Sequence, residues 1–99
     1  MLVVTAVTGS NPSGVGSIAA DPNFDGQQSV QVHGTGFKNG LVAFIVGPNG
    51  WQAVHWPQVQ NINDIYFDML AKFPERGVYE ILVANVDGEL SIRFDFEVK

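Results

Sequence analysis

Residues 78–98 have the sequence VYEILVANVDGELSIRFDFEV, in which two runs of alternating residues flank an Asp-Gly pair. In the second run every even-numbered residue from Leu90 to Val98 is apolar, and every residue between them is polar. Because successive side chains of a β-strand point to opposite faces, this alternation predicts a strand with one buried and one solvated face. The pair Asp87-Gly88 favours a two-residue hairpin turn, which needs positive φ angles. The segment therefore predicts a β-hairpin.

Length and composition indicate one domain that is held together by packing. The chain has 99 residues, of which 45% are hydrophobic, and this is enough to bury a core without disulfides. Its 11 glycines and 5 prolines recur every few residues, so the elements between them are short, which favours an all-β fold. Cysteine is absent, so neither disulfides nor thiolate chemistry is available.

The charge balance argues against nucleic acid as a partner. The formal net charge is −5, and the five basic residues are scattered singly, whereas a phosphate-binding surface needs a cluster of them. No apolar stretch approaches the length that spans a bilayer, so membrane insertion is not expected either.

The first third of the chain has both strand and turn signals. Residues 2–7 form either a first strand or the end of a connector, and residues 8–17 (TGSNPSGVGS) are turn formers that predict a linker or loop. Residues 29–34 alternate cleanly, with two valines predicted to point inward. The glycine-rich bend that follows is expected to turn Phe37 back into the core.

The middle of the chain predicts three more strands. Residues 41–46 (LVAFIV) are apolar on both faces, as expected for a central strand covered on both sides. Residues 51–56 return as an edge strand. Residues 61–72 fit both a helical and a strand spacing, and their branched and aromatic side chains favour a strand. One face of that strand would carry Ile65, Phe67 and Met69.

Together these segments predict about seven short antiparallel strands in two sheets. Turn signals about every 8 to 12 residues are typical of an immunoglobulin-like β-sandwich. We place this domain at residues 18–99, after an N-terminal strand or linker at residues 1–17.

Four short motifs resemble the IPT/TIG group of immunoglobulin-like domains. They are IAADP (18–22), VQVHGTGF (30–37), GVYEILVANVDG (77–88) and FDF (94–96), and they follow one another in the family's order. In that family a short strand ends in proline, a Gly-x-Gly-Phe bend follows the next strand, and an Asn-x-Asp-Gly turn precedes the last. The resemblance covers residues 18–98.

The resemblance implies a module that is not an enzyme. Family members are mostly spacers or docking domains beside enzymes or within surface and adhesion proteins, and this chain lacks the basic loops of the DNA-binding branch. We expect a multidomain bacterial or phage protein that is extracellular, on the cell surface or in the virion. The composition leaves a cytoplasmic location open.

The outer face of the central sheet is the predicted contact surface for a neighbouring domain or protein partner. If the strand in residues 78–86 buries one side, Leu82 and Ala84 point outward, next to one of two triplets of residues 41–46. The alternative is that residues 2–7 cover this face. The candidate face consists of Leu41, Ala43, Ile45, Leu82 and Ala84, with Val42, Phe44 and Val46 as the other triplet.

Surface aromatics suggest a second role, binding of polysaccharide. Trp51, Trp56 and Tyr66 carry rings that can stack on the apolar faces of sugars. Trp51 and Trp56 are five residues apart, so in a regular strand they point to opposite faces and at most one joins a given platform. Packing against the edge of the sandwich is the simpler explanation.

A weak calcium site is the one cofactor that the sequence suggests. Asp21, Asn23 and Asp25, followed by a glycine, match the first half of a calcium loop, but Val32 stands where the full loop needs an acidic residue. A polar loop between two strands is the alternative interpretation.

Other residues of catalytic type do not form a recognisable motif. His33 and His55 lie on separate predicted strands, without the spacing of metal ligands. Asp64 and Asp68 would lie about 13 Å apart on a strand, which is too far for joint acid and base chemistry. The glycines in 34–36 lack the helix that a dinucleotide fingerprint needs, so we predict that they serve a bulge and a turn.

If calcium binds at Asp21, Asn23 and Asp25, added calcium raises the melting temperature. A site with a Kd of about 1 mM adds about 1 kcal/mol to the free energy of unfolding at about 5 mM calcium. Differential scanning fluorimetry with and without calcium measures the shift, with magnesium as the control. An unchanged melting temperature in calcium contradicts the site.

Overall fold

The computed structural model describes residues 1–9, 12–14, 17–18 and 28–98 of the chain. Two short 3-10 turns, Pro48–Gly50 and Val59–Asn61, interrupt a succession of strands in these ranges. The strands are β1 (Val3–Gly9), β2 (Pro12–Gly14), β3 (Ser17–Ile18), β4 (Gln28–Thr35), β5 (Val42–Val46), β6 (Gln52–His55), β7 (Tyr66–Ala71), β8 (Gly77–Ala84) and β9 (Phe94–Val98).

The strands form two sheets packed face to face. The first sheet has the order β1-β4-β7, and the second has the order β2-β3-β9-β8-β5-β6. Strand β3 runs parallel to β9, and the other pairs in the described ranges are antiparallel. The seven strands of four or more residues divide three and four between the sheets. This confirms the prediction of an all-β, immunoglobulin-like β-sandwich.

One apolar core fills the space between the two sheets. Phe73 packs edge-on against Tyr79 and Phe96, with ring centroids 5.1 and 5.8 Å away. Phe37 packs edge-on against Phe67 at 4.9 Å, so the predicted return of Phe37 into the core is confirmed. The two valines of β4 that were predicted to point inward are fully buried. Edge-on contacts of this kind add to the free energy that burial of the rings supplies.

Tyr79 ties the chain that precedes β8 to the core. Its hydroxyl donates a hydrogen bond to the carbonyl oxygen of Glu75 at 2.7 Å and accepts one from the backbone N–H of Glu75 at 3.3 Å. Burial raises the pKa of the Tyr79 phenol, so the hydroxyl remains a donor. A tyrosine that starts the penultimate strand and bonds to backbone a few residues upstream is the tyrosine corner of immunoglobulin-like sandwiches.

The N-terminal residues are part of the sandwich. Strand β1 pairs with β4, and Gly34 permits this pairing because a Cβ there would lie 1.9 Å from the carbonyl oxygen of Val3. Gly36 follows with a φ of 82° in the bend after β4. The bulge predicted at these glycines lies instead on the partner strand, between Val4 and Ala6 of β1. The prediction of a linker or loop for residues 8–17 is wrong where β1, β2 and β3 pair into the sheets.

The hairpin between β8 and β9 has a longer turn than the Asp-Gly pair predicted. The N–H of Asn85 donates to the carbonyl oxygen of Glu89, and the N–H of Gly88 donates to that of Asn85, which leaves a three-residue loop. In this loop Gly88 has a positive φ, at 94°, and Asp87 does not. The prediction of a two-residue turn is wrong because the Asp87 carboxylate accepts the N–H of Glu89 and stabilises the longer loop.

The start of the last predicted strand also differs. Leu90 and Ile92 are 62% and 79% exposed, whereas Ser91 is buried. Ser91 donates its N–H to the carbonyl oxygen of Val83, and its Oγ accepts the N–H of Val83 at 2.8 Å. One serine thus satisfies both the N–H and the carbonyl oxygen of Val83. The alternation of buried and exposed side chains therefore shifts here, and regular pairing of β9 with β8 begins only at Phe94.

Strand β7 confirms the strand prediction for the ambiguous segment, over the residues Tyr66–Ala71. Phe67 and Met69 point into the core, but Ile65 is 57% exposed and does not share their face. The reason is that Ile65 precedes the strand, in a turn where its N–H bonds to the side chain of Asn63.

Asn85 joins the hairpin to the bend that follows β4. It is 4% exposed. Its Oδ1 accepts the N–H of Lys38 at 3.2 Å, and its Nδ2 donates to the carbonyl oxygen of Gly36 at 2.9 Å. The side-chain amide of Asn85 thereby joins two segments that are nearly 50 residues apart in the chain, since its oxygen and its nitrogen both bond to backbone groups.

Replacement of Asn85 by alanine is expected to lower the free energy of unfolding by about 2–3 kcal/mol. The substitution removes two hydrogen bonds and leaves backbone groups of Gly36 and Lys38 without these partners. Urea denaturation followed by circular dichroism measures the loss. The control is Asn39→Ala, at an exposed asparagine of the same bend, which should change stability by less than about 0.5 kcal/mol. Equal losses in the two variants contradict this role of Asn85.

Candidate functional site

The pairing of β5 with β8 decides which side of β5 faces solvent. Ala43 lies opposite Val83, and Ile45 lies opposite Ile81. All four are buried in the core, and Leu41 is only 1% exposed. The prediction that Leu41, Ala43 and Ile45 belong to the contact face is therefore wrong. Residues opposite each other on paired strands share one face of the sheet, and the partners on β8 point into the core.

The other triplet forms the surface that we call the outer face. Phe44 lies opposite Leu82 on β8 and opposite Val54 on β6, so these side chains form one row across three strands. Val42 lies opposite Ala84 in the neighbouring row, which confirms the outward direction predicted for Leu82 and Ala84. The outer face consists of Val42, Phe44, Val46, Val54, Leu82 and Ala84.

The outer face is apolar and partly open to solvent. Phe44, Val46 and Val54 are 40%, 41% and 41% exposed. The prediction that residues 41–46 are covered on both sides is wrong, as is the alternative that residues 2–7 cover this face. Both fail because β1 pairs with β4 in the other sheet.

Charged residues border the outer face toward β9. Glu80 lies opposite Asp95, and Val78 lies opposite Glu97, so these carboxylates share the outer side of the sheet. Arg93 Nη1 is 3.7 Å from Glu80 Oε2. Both residues line a hollow of about 360 Å³ together with side chains of the outer face. Both side chains of this ion pair are exposed, so the border is hydrated. It is predominantly acidic, because three carboxylates lie there beside one guanidinium.

A second feature, which we call the groove, lies beside β6 and β7, the last strands of their two sheets. It has a volume of about 260 Å³. Apolar and polar side chains both line it, among them His55, Trp56, Pro57, Asn61, Asp68 and Leu70.

His55 lines the groove, and its Nε2 has no hydrogen-bond partner among the described residues. The strand partner of His55 is Ala43, an inward residue, and the Nε2 of His55 is buried without a hydrogen bond. Burial lowers the pKa of His55 below its usual 6.5, so the imidazole is neutral at pH 7.

The structure separates the three aromatic residues predicted to bind sugar. Trp51 is half-buried and packs edge-on against Tyr79 at 5.7 Å. Tyr66 is half-buried on β7, with its ring 6.5 Å from that of His33, and does not line the groove. Trp56 is 69% exposed and does line it. A platform shared by all three is therefore excluded, and of the three only Trp56 lines the groove.

The residues of catalytic type lie apart and make ordinary sheet contacts. His33 Nε2 is 3.4 Å from the Oγ1 of Thr8, and the Asp68 carboxylate accepts a hydrogen bond from Gln31 at 3.0 Å. Asp64 is exposed in the turn before β7. Within the described ranges no three His, Cys, Asp or Glu residues converge as metal ligands.

The residues of the calcium prediction, Asp21, Asn23 and Asp25, lie outside the described part of the chain.

The sequence analysis missed Val54 of the outer face and Asn61 and Leu70 of the groove. The alternation around Val54 is irregular, because Ala53 and Val54 are both apolar. The groove joins residues of β6 and β7, which belong to different sheets, and no spacing along the chain marks that contact.

Comparison of the chain with family models, with curated proteins and with solved structures found no match in any of the three. The class of the protein is therefore defined by its fold, an immunoglobulin-like β-sandwich. Over the described residues, no helix has the length and apolar character needed to cross a membrane.

The burial of His55 predicts that acid weakens the fold. The unfolded chain takes up this proton near pH 6.5, whereas the folded chain takes it up only at lower pH. Neutral His55 therefore contributes stability that is fully present above about pH 6.5 and is lost as the pH falls through its folded pKa.

Urea denaturation at about pH 7.5 and about pH 5 tests this in the native chain and in His55→Gln. The native chain should lose more free energy of unfolding over that interval than the variant, because only the native side chain gains a desolvated charge. The same pH dependence in both proteins would show that His55 does not contribute.

Proposed function

We propose that this chain is a non-catalytic, IPT/TIG-like immunoglobulin module that docks onto a neighbouring domain or protein partner through its outer face. The observation that carries the proposal is the continuous row of Leu82, Phe44 and Val54 across three strands, with Phe44 and Val54 about two-fifths exposed. Contiguous exposed apolar side chains on a domain mark contact sites.

Burial of the apolar outer face against a partner would favour association. At about 25 cal/mol per Å², burial of a few hundred Å² of apolar surface contributes several kcal/mol before the costs of association are subtracted. The outer face also lies on β5, β6 and β8, which are paired side by side in one sheet. A sheet surface of this kind presents its side chains with little loss of conformational entropy on binding.

The border of the outer face favours a partner with basic residues. Glu80, Asp95 and Glu97 project beside it, while Arg93 is the cation near Glu80. Lysine or arginine side chains around an apolar centre on the partner would complement this pattern, improving orientation and association rate.

The same proposal covers the setting of the module. Its resemblance to IPT/TIG domains supports a spacer or docking role in a multidomain bacterial or phage protein that is secreted, on the cell surface or in the virion. The contact of His33 with Thr8 supports a structural role for this histidine.

Thiol labelling tests whether the outer face is covered in the native assembly. The chain contains no cysteine, so Val54→Cys and Ile92→Cys each introduce one thiol at an exposed site. Val54 belongs to the outer face, and Ile92 is the matched control outside it.

Both variants should react quickly with maleimide in the isolated chain. In the native assembly, purified from its source with the same substitution, labelling of Val54→Cys should slow by at least about tenfold while Ile92→Cys keeps its rate, because interface cores exclude water. Unchanged labelling of Val54→Cys, or equal slowing of both, contradicts the docking proposal.

A further inference from the structure

The groove lies on the side of the sandwich where both sheets end. Strands β6 and β7 each have one neighbour, β5 and β4 respectively, and the groove is beside their other edges. On the opposite side, β1 of the first sheet contacts β3 of the second. Among the described residues the groove therefore lies on the side of the sandwich away from that contact, beside β6 and β7.

The groove combines an exposed aromatic ring with polar side chains. Trp56 is 69% exposed and Leu70 is 58% exposed, so the groove presents an aromatic ring and an aliphatic side chain to solvent. Asn61 and Asp68 line the same groove and carry amide and carboxylate oxygens. An apolar surface with a few polar groups is the usual composition of a small-ligand site.

The charges in the groove select against anionic ligands. Among the described residues that line it there is no lysine or arginine, and Asp68 supplies a carboxylate. A ligand that suits this lining is neutral, has an apolar face for Trp56, and has hydroxyl groups at its edge for Asn61 and Asp68. Pyranose sugars have these three properties.

We propose that the groove binds a neutral oligosaccharide, with one pyranose ring stacked on Trp56. Asn61 and Asp68 hydrogen-bond the hydroxyl groups at the edge of that ring, while Pro57 and Leu70 contact its apolar face. The site is separate from the outer face, so it does not depend on the docking proposal.

The experiment uses the chain with Trp51→Phe, in which Trp56 is the sole tryptophan. Trp51 packs against Tyr79 and does not line the groove, so its replacement by another aromatic residue keeps that contact apolar. Cellohexaose, xylohexaose, maltohexaose and N-acetylchitohexaose are the neutral probes, and an oligogalacturonate is the anionic one. Fluorescence titration and isothermal calorimetry measure binding.

At least one neutral probe should bind and shift the emission of Trp56. Trp56→Ala should weaken that binding by about tenfold or more, and Trp56→Tyr should preserve most of it, because a ring remains for stacking. Since Trp56 is largely exposed, both variants should keep the native melting temperature.

Leu82→Asp is the matched control on the outer face and should leave the sugar Kd unchanged. This control separates the two proposals, because it disrupts docking without altering the groove. The sugar site is overturned if no neutral probe binds at millimolar concentration, if Trp56→Ala binds as tightly as its parent, or if the oligogalacturonate binds as well as the neutral sugars.

Discussion

Burial of one side of β8 is the constraint on which the rest of the structure depends. Tyr79, Ile81 and Val83 are fully buried, and their strand pairs with β5 on one edge and β9 on the other. A slip of one residue would bring all three side chains to the solvent, at about 1.5–3 kcal/mol for each. The register of this strand therefore fixes the inner and outer sides of the whole sheet, including the side on which Phe44 is presented.

Three polar side chains hold the connections at the two ends of β8. Tyr79 bonds to the backbone of Glu75 before the strand, and Ser91 and Asn85 bond to backbone groups at its end. Buried polar groups with complete partners specify one arrangement, because any other leaves them unsatisfied.

Alternation along the chain was sufficient for much of the fold. It predicted that Leu82 and Ala84 point to the outer side of β8, because that inference needed only the period of one strand. The glycine-rich bend after β4 likewise predicted that Phe37 returns to the core. Alternation could not choose between the two triplets of residues 41–46, since both are apolar and a symmetric pattern contains no information about direction. Pairing with Val83 and Ile81 made that choice.

By itself the sequence determined the all-β class, the approximate strands and the inward residues of β4 and β8, because alternation is a local property. Only the tertiary structure decided the loop around Asp87, the burial of Ser91 and the composition of the outer face and the groove. Those features depend on contacts between segments that are far apart in the chain. The side chain of Asn85, for example, bonds to the carbonyl oxygen of Gly36, which is 49 residues away in the chain, and local spacing does not predict that contact.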